Sequence, residues 1–265
     1  MTPLPLPARA SSWHLLAAIV AAWWRGLHRG ALILTLVLSA ASYRRAWRPA
    51  IARHLVQATA PHLLWFVLLA ALLSLVIVRI VLVTAQSYGL SQFALEMVVR
   101  VLVLELIPLA AALFVAVRVT IPASVDVLAL SQGPQAAELR RAGSAAWQAE
   151  VVPRAVAGLF AVLLLAALSG MLALVLAYLL AHGFSPWGFD QYTRLVGRVF
   201  SPAVSLVFGL KTLALSVAVS VIPLSAGLPD GRRRAGVLPP QLQGLVRLFF
   251  ALLVIETASL LGNYL

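Results

Sequence analysis

Four long apolar stretches constrain this sequence most, because each can cross a lipid bilayer, which takes roughly 20 helical residues. They cover about residues 62–86, 98–122, 155–181 and 244–264. A fifth stretch, about 203–224, qualifies if Lys211 is tolerated inside it. Soluble domains carry about 25% charged residues, whereas 11% of this chain is charged and 62% is hydrophobic. The sequence therefore predicts an all-α integral membrane protein with five transmembrane helices.

The segment before the first span differs from the spans. Ala31 to Ala41 is a short apolar run, preceded by tryptophans and arginines and followed by further arginines. This pattern is typical of a helix that lies in the headgroup plane. We predict an N-terminal cytoplasmic and interfacial amphipathic region over 1–61 and a transmembrane domain over 62–265. A cleaved signal peptide is the alternative for Leu15 to Ala22.

The basic residues predict how the spans are oriented. With the N-terminus inside, the inner side carries Arg9, Arg25, Arg29, Arg44, Arg45, Arg48, Arg53, Arg140, Arg141, Arg154, Arg232, Arg233, Arg234 and Arg247. The outer side carries only Arg100, Arg194 and Arg198. Basic residues accumulate on the cytoplasmic side of membrane proteins. The sequence therefore predicts a cytoplasmic N-terminus and a C-terminus on the far side, which is the periplasm if the membrane is a bacterial inner membrane.

Two loops carry signals of short helices. In the inner loop "SQGPQAAELRRAG", residues 131–143, Gly133 can cap a helix, Pro134 suits its first position and Gly143 suits the position past its end. We predict a coupling helix that docks on a cytosolic ATPase, with a helix on the membrane surface as the alternative. Its candidate contact residues are Pro134, Gln135, Glu138, Leu139, Arg140 and Arg141. In the outer loop, 182–201, we predict one or two short helices at the membrane interface.

Charged residues inside the spans need an explanation. An unpaired charge at mid-bilayer costs on the order of 2.5 to 3.5 kcal/mol on insertion scales. Glu105 and Arg118 lie about 20 Å apart along one helix, so they cannot pair with each other. Either these charges form structural pairs within the bundle or some of them line a cavity that lipid can reach. The candidates are Arg79, Glu105, Arg118, Lys211 and Glu256.

Partners can be proposed for two of these charges. Glu105 could meet Lys211 or Arg100, while Arg118 could extend to the inner headgroups or meet Asp126. A proton relay would need a chain of carboxylates, and the spacing along the sequence does not favour one.

No catalytic motif is present in the sequence. It has no Walker A sequence, no metalloprotease or hydrolase signature and no Gly-rich phosphate loop, and its five histidines are dispersed. The basic residues are scattered around apolar segments, which does not favour nucleic-acid binding. We therefore predict a chain that is not an enzyme and binds no metal or cofactor. If ATP drives it, a partner subunit binds the ATP and Mg²⁺.

Four ordered segments resemble the MlaE/YrbE family of ABC-transporter permeases. They are "LELIPLAAALFVAVRV" (104–119), "VVPRAVAGLF" (151–160), "SPAVSLVFGLKTLALSVAVSVIPLSAGL" (201–228) and "LLVIETASLL" (252–261). With their spacing, the resemblance runs from about Arg29 to the C-terminus. The chain departs from the family pattern after the second span, where only Arg118 of a G-R-x-G-S motif is kept. It also departs at 133–136, where the family has a glutamate.

The resemblance implies a permease subunit of an ABC-type phospholipid transporter in the inner membrane of a diderm bacterium. The implied partners are an ABC ATPase, a periplasmic MCE-domain protein, a second permease subunit and phospholipid, with a homodimer favoured over a heterodimer. Two alternatives come from other classes. An ion- or proton-coupled secondary transporter would show inverted repeats, which are not evident here, and a non-transporting membrane scaffold would only recruit partners.

Overall fold

The computed structural model describes residues 12–43, 47–134, 136–228 and 240–264, and every regular element among them is helical. The α-helices are α1 Ser12–Leu38, α2 Arg48–Ser87, α3 Ser91–Val98, α4 Ile107–Val115, α5 Ile121–Gln132, α6 Ala136–Ala142, α7 Ser144–His182, α8 Phe189–Val199, α9 Pro202–Gly227 and α10 Pro240–Tyr264. Two π-helical segments, Val99–Leu106 and Ala116–Thr120, link α3 to α4 and α4 to α5. Short 3-10 turns cover Ala40–Tyr43 and Pro186–Gly188.

Within the described residues, five helices are long and apolar enough to cross a membrane, which confirms the predicted number. They are span 1 Arg48–Ser87, span 2 Phe93–Gln132, span 3 Ala145–His182, span 4 Pro202–Gly227 and span 5 Leu242–Gly262. Span 2 joins α3, α4, α5 and both π segments into one run. At 1.5 Å per residue, 40 residues extend about 60 Å, about twice the thickness of a hydrocarbon core. Spans 1 and 2, each of 40 residues, are therefore longer than a crossing requires.

Small residues bring the spans into close contact. A Cβ atom added to Gly158 on α7 would lie 2.8 Å from both the Ser220 hydroxyl on α9 and the Thr120 methyl on span 2. Gly227, near the end of α9, is tighter still, since an added Cβ would lie 2.5 Å from the Ser124 carbonyl oxygen. Helices in lipid gain stability from this kind of close packing rather than from a hydrophobic driving force. Spans 2, 3 and 4 therefore form the packed centre of the bundle.

A proline follows each of the two places where span 2 departs from the regular α-helix. Each π segment is followed by an Ile-Pro step, Ile107-Pro108 and Ile121-Pro122. Proline has no N–H and its ring clashes with the carbonyl four residues earlier, and a wider π turn is one way a helix absorbs such a disturbance. The hydrogen bonds show the wider turn, because Ile107 N–H donates to Leu102 O and Ile121 N–H donates to Ala116 O.

The N-terminal helix α1 packs on the bundle through one face. Ile33 and Val37 are buried in a cluster with Val221 and Leu224, and the Trp23 ring meets Phe250 of α10 edge-on at 5.1 Å. The predicted apolar run at 31–41 is thus the end of a helix that begins at Ser12 and the start of the 3-10 turn after it. That α1 lies in the headgroup plane stays a prediction, as does the domain boundary at residue 61, which falls inside α2.

Short helices occur at the two predicted loop positions. In the loop between spans 2 and 3, α6 begins at Ala136, two residues later than the sequence predicted, because Gly133 is extended and Pro134 lies in a turn before the helix. Its end agrees with the prediction, since Gly143 follows it with a φ of 76°, a backbone conformation that favours glycine. In the loop between spans 3 and 4, a 3-10 turn precedes α8.

Candidate functional site: an ion cluster inside the bundle

Three spans bring one ammonium and two carboxyl groups together inside the bundle. Lys211 of α9 donates through Nζ to Glu105 Oε2 of span 2, to Glu256 Oε1 of α10 at 2.8 Å, and to the Leu104 carbonyl oxygen at 3.3 Å. An ammonium group has three protons, so the three acceptors use its full donor capacity. The cluster therefore ties spans 2, 4 and 5 to one another at a single point.

Pro108 of span 2 makes one of these acceptors, the Leu104 carbonyl oxygen, available. In a regular α-helix, the Leu104 carbonyl would accept from the N–H of residue 108. That residue is Pro108, which has no N–H, so the carbonyl oxygen is free of its usual α-helical donor and accepts from Lys211 instead. The sequence "LELIP" thus provides both a carboxylate and a backbone carbonyl to the same lysine.

The ammonium is more deeply buried than either carboxyl group. The Lys211 side chain is 1% exposed, against 12% for Glu105 and 18% for Glu256. Lys211 lies nine residues after Pro202, about 14 Å along α9 at 1.5 Å per residue, on the side of the bundle that carries α8. The lysine is therefore the innermost of the three groups, and the accessible part of the cluster belongs to the two glutamate side chains.

One oxygen of the cluster has no donor within the described residues. Glu256 Oε2 is buried and accepts no hydrogen bond from these residues, although Oε1 of the same group accepts from Lys211. The nearby hydroxyls of α9 do not supply a donor, since Thr212 and Ser216 donate to carbonyl oxygens of their own helix. A buried carboxylate oxygen without a donor is costly, and this feature was not evident from the sequence.

The structure places the other predicted charges elsewhere. Arg100, the second partner that the sequence offered to Glu105, instead pairs with Glu96 on the neighbouring turn at 3.1 Å. Arg79 is exposed on α2 and Arg118 is exposed in the second π segment. Asp126 is also exposed, and within the described residues it forms no ion pair with Arg118. Of the five candidates, Glu105, Lys211 and Glu256 come together and Arg79 and Arg118 do not.

The predicted coupling residues lie in the loop between spans 2 and 3. Glu138 and Arg141 are exposed on α6, and Leu139 is half-buried. Pro134 is exposed in the turn before α6, Gln135 lies outside the described residues, and of Arg140 only the backbone belongs to them. The mixture of exposed charges and a half-buried leucine is compatible with a docking helix, and the role of these residues stays a prediction.

On the opposite side, α8 is fixed to span 3 by aromatic residues. The Tyr192 hydroxyl donates to the Leu174 carbonyl oxygen at 2.8 Å, and burial raises the pKa of Tyr192 to about 12. The Tyr178 ring lies 5.3 Å from that of Tyr192 and stacks on His182. The sequence did not predict this contact, although it shows that the loop between spans 3 and 4 is rich in aromatic residues. Arg194 and Arg198 remain exposed on α8.

Comparison with known proteins identifies a family. The family model described as Permease MlaE matches residues 51–261, a range that includes nearly all of the five spans and the three charged residues of the cluster. No curated protein matches the sequence.

Proposed function

This chain belongs to the MlaE permease family, and we propose that it moves phospholipid between the bacterial inner membrane and periplasmic MCE-domain proteins. Membership makes it a multi-pass ABC-type permease, the membrane subunit of a transporter rather than an enzyme. It also gives the kind of partner, because permeases of this family work with ABC ATPases. The observation that carries the proposal is the family match over residues 51–261.

The distribution of polar groups supports a lipid as the cargo. The spans expose apolar side chains over most of their surface, including Leu72, Ile80 and Val175, which suit acyl chains. Two partly exposed carboxyl groups, Glu105 and Glu256, interrupt this surface at the ion cluster. We propose that two copies of the chain enclose a cavity for acyl chains between them, and that ATP hydrolysis in the partner exposes this cavity alternately to the two sides.

The partners attach at opposite ends of the bundle in this proposal. The ATPase docks on α6, since a short helix between two long spans can pass a movement of the ATPase to both. The MCE-domain protein binds on the side of α8. The N-terminus lies in the cytoplasm and the C-terminus in the periplasm, as the distribution of arginines favours.

Reconstitution tests lipid transport directly. The chain, its ATPase and its MCE protein are placed in vesicles that contain a fluorescent phospholipid, and ATP-dependent transfer to the MCE protein is measured. We expect transfer that stops when Leu139 and Arg140 are both replaced by Asp, because two acidic residues in α6 would weaken docking of the ATPase. Absence of ATP-dependent phospholipid transfer by the parent complex would contradict the proposal.

A control separates docking from general disturbance of the membrane protein. Ala52 and Gln57 are exposed on the inner part of α2, and replacing both with Asp adds the same number of acidic side chains away from α6. This control variant should retain ATP-dependent phospholipid transfer. If both variants lose it equally, α6 has no special part in coupling.

Reporter fusions test the orientation. A reporter placed after Leu265 should be periplasmic, and one inserted at Arg233 should be cytoplasmic, because a single span separates them. If both report the same side, the five-span topology is wrong.

A further inference from the structure

The ion cluster contains more acidic than basic groups. Glu105 and Glu256 both contact one ammonium, that of Lys211. With both carboxyl groups ionised, three buried side chains would carry a net negative charge inside an apolar bundle. Because both carboxyl groups contact the same nitrogen, they also lie close enough to repel each other. Two carboxylates that share one site hold a proton more tightly than either would alone.

Among the residues that the structure describes, Lys211 is the one cation that contacts Glu256. On α10 itself, the nearest basic residue in the described part is Arg247, nine residues or about 14 Å away along the helix. On span 2, Arg100 is held by Glu96. Residues 155–177 of α7 include no titratable side chain, and the charged residues of α8, Asp190, Arg194 and Arg198, are exposed at the outer end.

The geometry of Glu256 indicates which group takes the proton. One of its oxygens accepts from Lys211, while the other is buried without a donor. An ionised carboxylate would leave that oxygen without a donor, whereas a carboxylic acid removes the excess charge and makes the oxygen a donor. The Glu105 carboxylate, which lies in hydrogen-bond contact with Glu256, is the acceptor. We propose that Glu256 is protonated in this arrangement, so that Glu105, Lys211 and Glu256 form a binding site for one exchangeable proton taken from water.

This site is a single proton position and not a relay, since the described spans offer no further carboxylate in contact with it. The exposed parts of the two glutamate side chains give water a route to the buried oxygen, and the position of the site on the side of α8 indicates exchange with that side. Binding converts the carboxylate of Glu256 to the neutral acid, and release returns it to the carboxylate, with no other bond made or broken. The inference does not depend on what the permease transports.

Infrared difference spectroscopy of the full-length chain in complex with its ATPase tests the site. The carbonyl-stretch band of a buried protonated carboxyl group should be present at neutral pH and absent in Glu256→Gln. It should also be absent in Glu105→Gln, because the one remaining carboxylate then neutralises Lys211. Glu96→Gln is the matched control, since Glu96 has an arginine of its own, and it should leave the band unchanged. A band that survives both cluster substitutions would overturn the proposal, as would its absence from the parent.

A conservative change identifies the group that holds the proton. Aspartate and glutamate differ in the frequency of this band, so Glu256→Asp should shift it and Glu105→Asp should not. A shift in Glu105→Asp alone would place the proton on Glu105 and contradict the assignment.

The same site should make stability depend on pH. A group that is protonated in the folded state and ionised in the unfolded state stabilises the fold at low pH, and this contribution is lost as the pH rises. The apparent Tm of the complex should therefore fall between mildly acidic and mildly alkaline pH, and Glu256→Gln should reduce this fall while Glu96→Gln should not. An equal fall in parent and Glu256→Gln would overturn the proposal.

Discussion

The two π segments of span 2 have the same local cause but different surroundings. Each precedes an Ile-Pro step, and each carries one of the charges that stand out in the sequence, Glu105 in the first and Arg118 in the second. The first segment faces α9 and α10, so Glu105 is held by Lys211 inside the bundle. The second presents Arg118 at the surface of the chain. In both places the helix widens just before a proline, whereas the neighbouring spans determine what a charge at that point can do.

This difference separates two kinds of intramembrane charge. The charge of Glu105 is compensated within the chain, and the proline beside it frees a carbonyl oxygen that completes the coordination of the lysine. The charge of Arg118 must be solvated from outside, and a long arginine side chain can reach the headgroup region. We therefore expect changes at the first segment to affect the stability of the bundle, and changes at the second to have little effect on it.

Removal of the lysine should give the largest effect. Lys211→Met leaves two carboxyl groups without their cation, and breaking a buried pair in this way costs roughly 3 to 5 kcal/mol. The apparent Tm and the yield of the intact complex should both fall strongly. Thermal unfolding in detergent, followed by size-exclusion chromatography, measures both.

Removing all three charges together tests whether this loss comes from uncompensated charge. Replacing a whole buried ion cluster is often nearly neutral for stability, so Lys211→Met with Glu105→Gln and Glu256→Gln should recover most of the lost Tm. If the triple variant is as unstable as Lys211→Met, the lysine contributes packing rather than charge, and the contrast with Arg118 is weaker than proposed.

Replacing either proline of span 2 should have an intermediate effect on the apparent Tm, and the two effects should differ. Pro108→Ala restores an N–H that competes with Lys211 for the Leu104 carbonyl oxygen, and a hydrogen bond to a charged group is worth about 1.5 to 3 kcal/mol. Pro122→Ala restores an N–H in a segment that holds no buried lysine, so it should only make the helix more regular. We expect Pro108→Ala to have the lower apparent Tm of the two. Equal values would mean that the Leu104 carbonyl does not matter to the cluster.

The sequence predicted most of the framework and only part of the site. Runs of apolar residues determine span number because length and hydropathy are local properties, and all five spans are present. The partner of Glu105 could not be chosen between Lys211 and Arg100, since the choice depends on which faces of spans 2 and 4 meet. The role of Glu256 in the same cluster could not be predicted either, because Glu256 lies on a third helix, 151 residues after Glu105. The predicted start of α6 at Pro134 was wrong by two residues, because Pro134 lies in the turn before the helix.

Arg118 should give the smallest effect, and it tests the comparison most sharply. Because its side chain is exposed and forms no ion pair within the described residues, Arg118→Gln removes a charge without leaving a buried partner behind. Surface substitutions of this kind usually change stability little, so the apparent Tm of the chain alone should match that of the parent. The same measurement on the complex is the decisive one. A loss there that approaches that of Lys211→Met would mean that Arg118 is compensated by another subunit, and the second π segment would then be a contact site rather than a lipid-facing surface.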